Sequence, residues 1–181
     1  TPALTNLNDG TNYEMGTAFT SDIFGQITAL RFWKTSSESG THVGKVWSAT
    51  GALLTSVTFA NETASGWQQQ VLAFPLSIAA NTTYVVSVNT GNAFYVATNN
   101  GLASQVVNGH LSSVVGNNGV FGTSGQFPNN TGSHANYFRD IFFVPSSTSL
   151  LSLTLNPAIV TGGGSSTGTV LLSSPAPAGG V

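Results

Sequence analysis

Hydrophobic positions along the chain recur mostly with a period of two, which is the period of a β-strand and not of a helix. Short runs of β-branched and aromatic residues are separated by turns rich in glycine, asparagine and serine. The pattern predicts an all-β fold, an antiparallel β-sandwich of the jelly-roll or immunoglobulin-like kind. The predicted strands lie near Glu14–Thr20, Gln26–Lys34, Thr41–Ser48, Leu53–Ala60, Gln68–Phe74, Thr83–Asn89, Ala93–Ala97 and Tyr137–Val144.

The segment Asn99–Ser133 departs from this pattern. It is rich in glycine and asparagine, yet valine, leucine and phenylalanine are dispersed through it. Apolar residues in such a segment need something to pack against, so we expect an ordered excursion over one sheet instead of a disordered linker.

A boundary is predicted at Pro145–Ser149, which gives two regions. Residues 1–145 form a β-sandwich domain with an N-terminal arm, and residues 146–181 form a two-strand extension. This tail resembles the opening of an immunoglobulin-like surface-protein repeat, although a complete repeat needs about seven strands. The alternative is a tail that donates a strand to another domain. Two strands alone are marginally stable in water. We expect them to be covered by the main domain, another copy or further chain, with assembly contacts at Leu151, Leu153, Leu155, Val170 and Leu172.

The composition narrows the classes of function. Only 6% of the residues are charged, against about a quarter in an ordinary soluble domain, and the net charge is −2. Four lysines and arginines cannot build a phosphate-binding surface, which argues against nucleic-acid binding. No apolar run reaches the length of a membrane span, so no membrane insertion is expected. A cysteine-free chain rich in Ser, Thr, Asn and Gly predicts an extracellular or cell-surface protein.

The stretch SGTHVGKVWSATG (39–51) combines a histidine, a lysine and a tryptophan. In a strand, alternation places His42 and Lys45 on opposite faces, which argues against their forming one functional site. Trp47 is expected in the core.

A sugar-binding corner is the other candidate site. Glu62 precedes Gly66, Trp67 and Gln68, so the candidate ligand-binding residues are Trp67, Gln68, Glu62 and His42. A glycosidase needs two carboxylates across a cleft, whereas Glu14 and Asp140 are expected to pair with Arg31 and Arg139. We therefore predict that the protein is not an enzyme.

A metal site is a third candidate. Asp9, Asn12 and Glu14 place oxygen ligands around Gly10, although their spacing is not that of an EF-hand loop. The two interpretations are a structural Ca²⁺ ion and a simple Asx-turn. No other cofactor is predicted.

Several motifs recur in the order seen in a known family. They are Glu14, Gly16 and Phe19, followed by FGQITALRFWK (24–34), SGTHVGKVWSATGALL (39–54), FANETASGWQQ (59–69), ANTTYVVS (80–87), FP (127–128) and NYFRDIFF (136–143). The chain resembles the bacterial family labelled domain of unknown function 4082 from about Tyr13 to Val144. The resemblance implies an extracellular β-sandwich, often beside immunoglobulin-like repeats or carbohydrate-active domains, and implies no established reaction.

Two functions follow as expectations. The first is a structural module that associates with itself through β-strand complementation, as a surface or filament subunit. The alternative is a carbohydrate-binding or adhesion module of a larger secreted protein. The expected partners are accordingly another copy of the chain, tandem surface domains or a glycan.

Overall fold

The computed structural model describes residues 1–116, 118–146 and 150–173, and these contain β-strands and no helix. The antiparallel β-sandwich predicted from the alternation pattern is confirmed, because every strand pair is antiparallel and the main sheets pack face to face. The strands are β1 (Leu4–Asn8), β2 (Tyr13–Ser21), β3 (Gly25–Lys34), β4 (Val43–Ser48), β5 (Leu53–Thr58), β6 (Gly66–Ile78), β7 (Tyr84–Asn89), β8 (Phe94–Ala97), β9 (Val107–Asn108), β10 (Leu111–Ser113), β11 (Gly119–Thr123), β12 (Asn130–Thr131), β13 (Arg139–Pro145), β14 (Leu150–Asn156) and β15 (Thr167–Leu172).

The larger sheet has the order β12-β11-β2-β7-β4-β5. One edge of β2 is shared by two strands, because β11 pairs with its first half and β10 with its second half, while β9 pairs with β10. The four short strands β9, β10, β11 and β12 all come from the segment Asn99–Ser133. The described part of the excursion is therefore ordered, as expected, and it extends the sheet as well as packing against it.

The smaller sheet has the order β13-β3-β6, so β13 is one of its edge strands. In β3, Leu30 and Phe32 point into the core, whereas Arg31 and Trp33 point to the other face. The alternation that predicted this strand therefore also sets which side chains reach solvent.

The core lies between the two sheets. Its members are buried apolar side chains from both sheets: Phe19, Ile27, Leu30, Phe32, Val46, Phe59, Leu72, Ile78, Tyr84, Val86, Val88 and Ile141. A smaller cluster forms on the outer face of the large sheet, where Trp47 packs with Ala18, Val85 and Val120. Trp47 is buried as predicted, but it lies under Phe127 of the excursion and outside the central core.

The two chain ends behave differently. The N-terminal strand β1 pairs with β8 of the sandwich. The tail forms a two-stranded sheet of its own, β14 with β15, and almost all of its side chains are exposed. The two-strand extension is thus present. Within the described residues, no helix is long and apolar enough to cross a membrane.

Candidate functional site

A cavity of about 260 Å³ opens beside the edge strand β13. We call it the β13 cleft. Its walls come from β2 and β7 of the large sheet, from β13, and from the excursion residues 102–113. The lining residues are Thr17, Phe19, Trp67, Val86, Leu102, Val106, Asn108, Leu111, Ser112, Ser113, Asn136, Phe138, Arg139, Asp140 and Ile141.

Trp67 is the exposed aromatic residue of the cleft. It lies near the start of β6, opposite Trp33 of β3, on the face of the small sheet that points away from the core. Its side chain is 44% exposed, and the Arg31 guanidinium lies 4.5 Å from the ring centroid. Asp140 holds that guanidinium through contacts of 2.5 and 3.0 Å. The pairing of Asp140 with Arg31 expected from the sequence is confirmed, and it fixes the position of the tryptophan.

Polar side chains converge on the same cleft. Asn108 and Ser112 make no side-chain hydrogen bond to another described residue, so both are free to bind a ligand. Asn136 is fixed by a bridge between its backbone and Thr98. Its Oδ1 accepts a hydrogen bond from the backbone N–H of Phe138 at 2.7 Å, which leaves its Nδ2 donor free among the described residues.

Phe138 has an unusual backbone conformation. Its φ of 56° lies in the left-handed region, where a phenylalanine is a genuine outlier. Strained residues persist where the surrounding structure holds them, and they cluster at binding sites. Here the hydrogen bond from the Phe138 N–H to Asn136 Oδ1 and the packing against Trp67, with ring centroids 6.3 Å apart, hold Phe138 at the cleft.

A buried charge cluster lies beside the cleft, and Arg139 belongs to both. The Arg139 guanidinium donates to Glu38 Oε1 at 2.8 Å and to the carbonyl oxygens of Trp33 and Tyr137. Both charged side chains are fully buried. Burial raises the pKa of Glu38 to about 7, although the neighbouring Arg139 pulls it down.

His42 and Glu62, two of the predicted ligand-binding residues, belong to this charge cluster and not to the cleft. The carboxylate of Glu62 bridges His42 Nδ1 and Lys34 Nζ, each at 2.8 Å. Burial lowers the pKa of His42, because the imidazolium form loses its hydration. His42 Nε2 faces Gly91, where even an added Cβ would lie 2.9 Å away, so no ligand can reach that nitrogen.

Gln68, the fourth predicted ligand-binding residue, points away from the cleft. Its side chain is buried and bonds with Thr63 and with the carbonyl oxygen of Gly66. It closes the turn before β6. Of the four residues, only Trp67 lines the cleft. Sequence reasoning missed Asn136, Phe138 and Asp140, which also line the cleft.

Glu14 pairs differently from the expectation. Its carboxylate accepts hydrogen bonds from Lys45 Nζ at 2.9 Å, from Ser87 Oγ at 2.6 Å and from the backbone N–H of Gly125. The expected arginine partner is therefore wrong. Trp47 donates its indole N–H to the same Ser87, so the strand that carries Lys45 and Trp47 is tied to β2 and β7.

Two of the three predicted calcium ligands have hydrogen-bond partners within the protein. Asp9 accepts a hydrogen bond from the Tyr13 hydroxyl at 3.0 Å, and the neighbouring Glu14 is buried beside Lys45. The side chain of Asn8 accepts from the N–H of Gly10, which is an Asx-turn. Asn12 is not bonded to either acid. Within the described residues, no group of three or more His, Cys, Asp and Glu side chains is placed to hold a metal ion.

The fold and the cleft define the chain as an antiparallel β-sandwich domain with a concave, largely apolar site at the edge of its smaller sheet. The chain belongs to the family described as Domain of unknown function (DUF4082), which matches residues 1–139. No curated protein and no solved structure matches the chain.

Proposed function

We propose that this domain is a non-catalytic carbohydrate-binding module and that the β13 cleft is its ligand site. The observation that carries the proposal is the half-exposed ring of Trp67 in the same cavity as Asn108, Ser112 and Asn136, whose side chains retain unused hydrogen-bonding groups. An aromatic ring receives the C–H face of a sugar, and free amide and hydroxyl groups bind its hydroxyls.

The single acidic residue of the cleft favours sugar binding over sugar hydrolysis. Asp140 is the one carboxylate among the lining residues, and it is already held by Arg31 at 2.5 Å. Glycoside hydrolysis requires a second carboxylate about 5–10 Å away across the bond that is cleaved. Because the cleft supplies one paired acid, its chemistry fits recognition of a sugar.

The composition supports an extracellular or cell-surface location for this module. Its surface owes its polarity to Ser, Thr, Asn and Gly, and the chain contains no cysteine. A glycan is a ligand suited to that location.

A Trp67→Ala substitution tests the carbohydrate proposal. We expect glycans that bind the wild type on an array to lose about tenfold or more in affinity, because an aromatic anchor is removed. Isothermal titration calorimetry measures the change. Phe74→Ala is the matched control, since Phe74 also lies on β6 and is 84% exposed but does not line the cleft. Absence of binding to every glycan, or equal affinity of Trp67→Ala, contradicts the proposal.

Self-association through β-strands is the second candidate, and the exposed hairpin β14–β15 favours it. Leu151, Leu153 and Leu155 are 53–61% exposed, and Leu150 and Leu171, on the same two strands, are 59% and 56% exposed. A two-stranded hairpin with apolar side chains exposed in this way gains little stability alone. A neighbouring copy that pairs with its open edges would bury them and produce a filament if the contact is head to tail.

Deletion of the residues after Pro145 tests this second candidate. We expect the full chain to form concentration-dependent assemblies in analytical ultracentrifugation and the shortened chain to remain a monomer. Leu153→Asp should weaken assembly in the full chain, whereas Thr161→Asp, which adds the same charge at an exposed site between the strands, should not. If the shortened chain assembles as well as the full chain, the hairpin is not the joint.

A further inference from the structure

The shape of the β13 cleft restricts which part of a glycan can enter, on the assumption that the proposed carbohydrate function holds. Its floor consists of core residues, with Phe19, Val86 and Ile141 only 5%, 1% and 6% exposed. Its rim consists of exposed residues such as Trp67 and Asn108. Because the hydrophobic core closes the inner end, a sugar chain cannot pass through the cleft. A terminal unit has to enter end-on.

The size of the cleft limits the ligand to a small unit. The volume of about 260 Å³ lies below the range of roughly 300–1,000 Å³ that is typical of pockets for drug-sized molecules. One sugar ring is the part of a glycan that such a cavity accommodates.

The floor selects for an apolar group on that ring. Phe19, Val86, Leu111 and Ile141 offer no side-chain hydrogen-bonding group, and Thr17 beside them contributes a single hydroxyl. A sugar hydroxyl pushed against this floor loses its water without gaining a full set of partners, which costs free energy. A methyl group in the same place is favourable, because apolar surface leaves water.

The charges around the cleft select for a neutral ligand. Arg139 is paired with Glu38 at 2.8 Å, and Asp140 is paired with Arg31 at 2.5 Å, so both charged residues of the lining are compensated by the protein. A carboxylated or sulfated sugar would bring a further charge for which the lining offers no uncompensated positive charge, and burying such a charge is unfavourable.

We infer that the β13 cleft binds, end-on, a single neutral sugar unit that carries a methyl group, as in a 6-deoxy, N-acetyl or O-methyl sugar. The methyl group rests on the core residues at the floor. The ring contacts Trp67 and Phe138, and the remaining hydroxyls bond with the asparagine side chains at the rim.

Matched pairs of monosaccharides test the inference by isothermal titration calorimetry on the full chain. Methyl α-L-fucoside and methyl α-L-galactoside differ only in the hydroxyl at C6, and the N-acetylglucosamine and glucose methyl glycosides differ only at C2. We expect the methyl-bearing member of at least one pair to bind about tenfold more tightly. The pair that shows the preference identifies whether the bound methyl group belongs to a 6-deoxy or an N-acetyl sugar. Terminal O-methyl sugars are tested as the third class.

Two further results complete the test. Val86→Thr, which replaces a floor methyl group with a hydroxyl at nearly constant volume, should reduce the preference, and Leu111→Thr provides a second variant if the first does not fold. Binding that depends on Trp67 but favours acidic sugars, internal sugar units or the hydroxyl-bearing member of every pair overturns the inference and leaves the carbohydrate function standing. Absence of binding to any glycan overturns both.

Discussion

At the scale of the residue, the buried charge cluster makes the stability of the domain depend on pH. The pKa of Glu38 is raised from 4.5 to about 7, so the folded protein holds this proton more tightly than the unfolded chain does. The contribution of Glu38 to stability is therefore fully present below pH 4.5 and is lost as the pH rises through about 7. The shift corresponds to about 3 kcal/mol in the free energy of unfolding.

Glu38→Gln should remove this pH dependence, because glutamine does not titrate. We expect the stability of the wild type relative to the variant to fall between pH 5 and pH 8, as measured by urea unfolding at several pH values. A constant difference over that range would show that the pKa of Glu38 is not raised in the folded state.

His42 in the same cluster provides a control of opposite sign. Its pKa is lowered by burial, so its contribution is present above the ordinary value of about 6.5 and is lost as the pH falls through the lowered pKa. The stability of the wild type relative to His42→Asn should therefore fall as the pH is lowered from 7 to 5. If the stability difference from the wild type changed with pH in the same direction for both variants, the opposite pKa shifts assigned to Glu38 and His42 would be wrong.

At the scale of the element, the close approach of β11 to the segment before β13 depends on Gly119. A Cβ atom at this position would overlap the backbone carbonyl oxygen of Ala135, which cannot move as a flexible side chain can. We expect Gly119→Ala to destabilise the domain by about 1–3 kcal/mol or more.

Thermal unfolding measures this effect. Gly162→Ala is the control, because a Cβ atom there meets no other atom within 4 Å and its change should stay within about 0.5 kcal/mol. Equal melting temperatures for Gly119→Ala and the wild type would contradict the close approach.

Long strands were predictable, whereas short edge strands were not. Alternation located β2, β3, β4 and β7, where a shift of one residue would move the core side chains to the opposite face of the sheet. The strands β9 and β12 have two residues each, too few for any periodicity to be visible. β1 was missed because its leucines, Leu4 and Leu7, are three residues apart and the register shifts between them.

At the scale of the whole molecule, the sandwich and the hairpin differ in what stabilises them. The described core clusters and the residues packed against them end at Phe143, whereas the hairpin strands are exposed along almost their whole length. The predicted boundary between residues 1–145 and 146–181 is consistent with this difference and stays a prediction.

A chain that ends at Pro145 should keep the melting temperature of the full chain within a few degrees, because deletion removes no described core residue. Differential scanning calorimetry measures the change. A large loss of stability would mean that the hairpin supports the sandwich, and the proposed division of the chain would then be wrong.

The sequence by itself determined the fold class, the inward and outward faces of the long strands and the burial of Trp47, because these follow from a local period of two. The tertiary structure alone decided how the charged residues pair and which residues line the β13 cleft. Glu38 and Arg139 are 101 residues apart, and Trp67 meets Phe138 from another distant part of the chain. No local pattern encodes such pairs, because strand order and register bring them together only when the sheets close over the core.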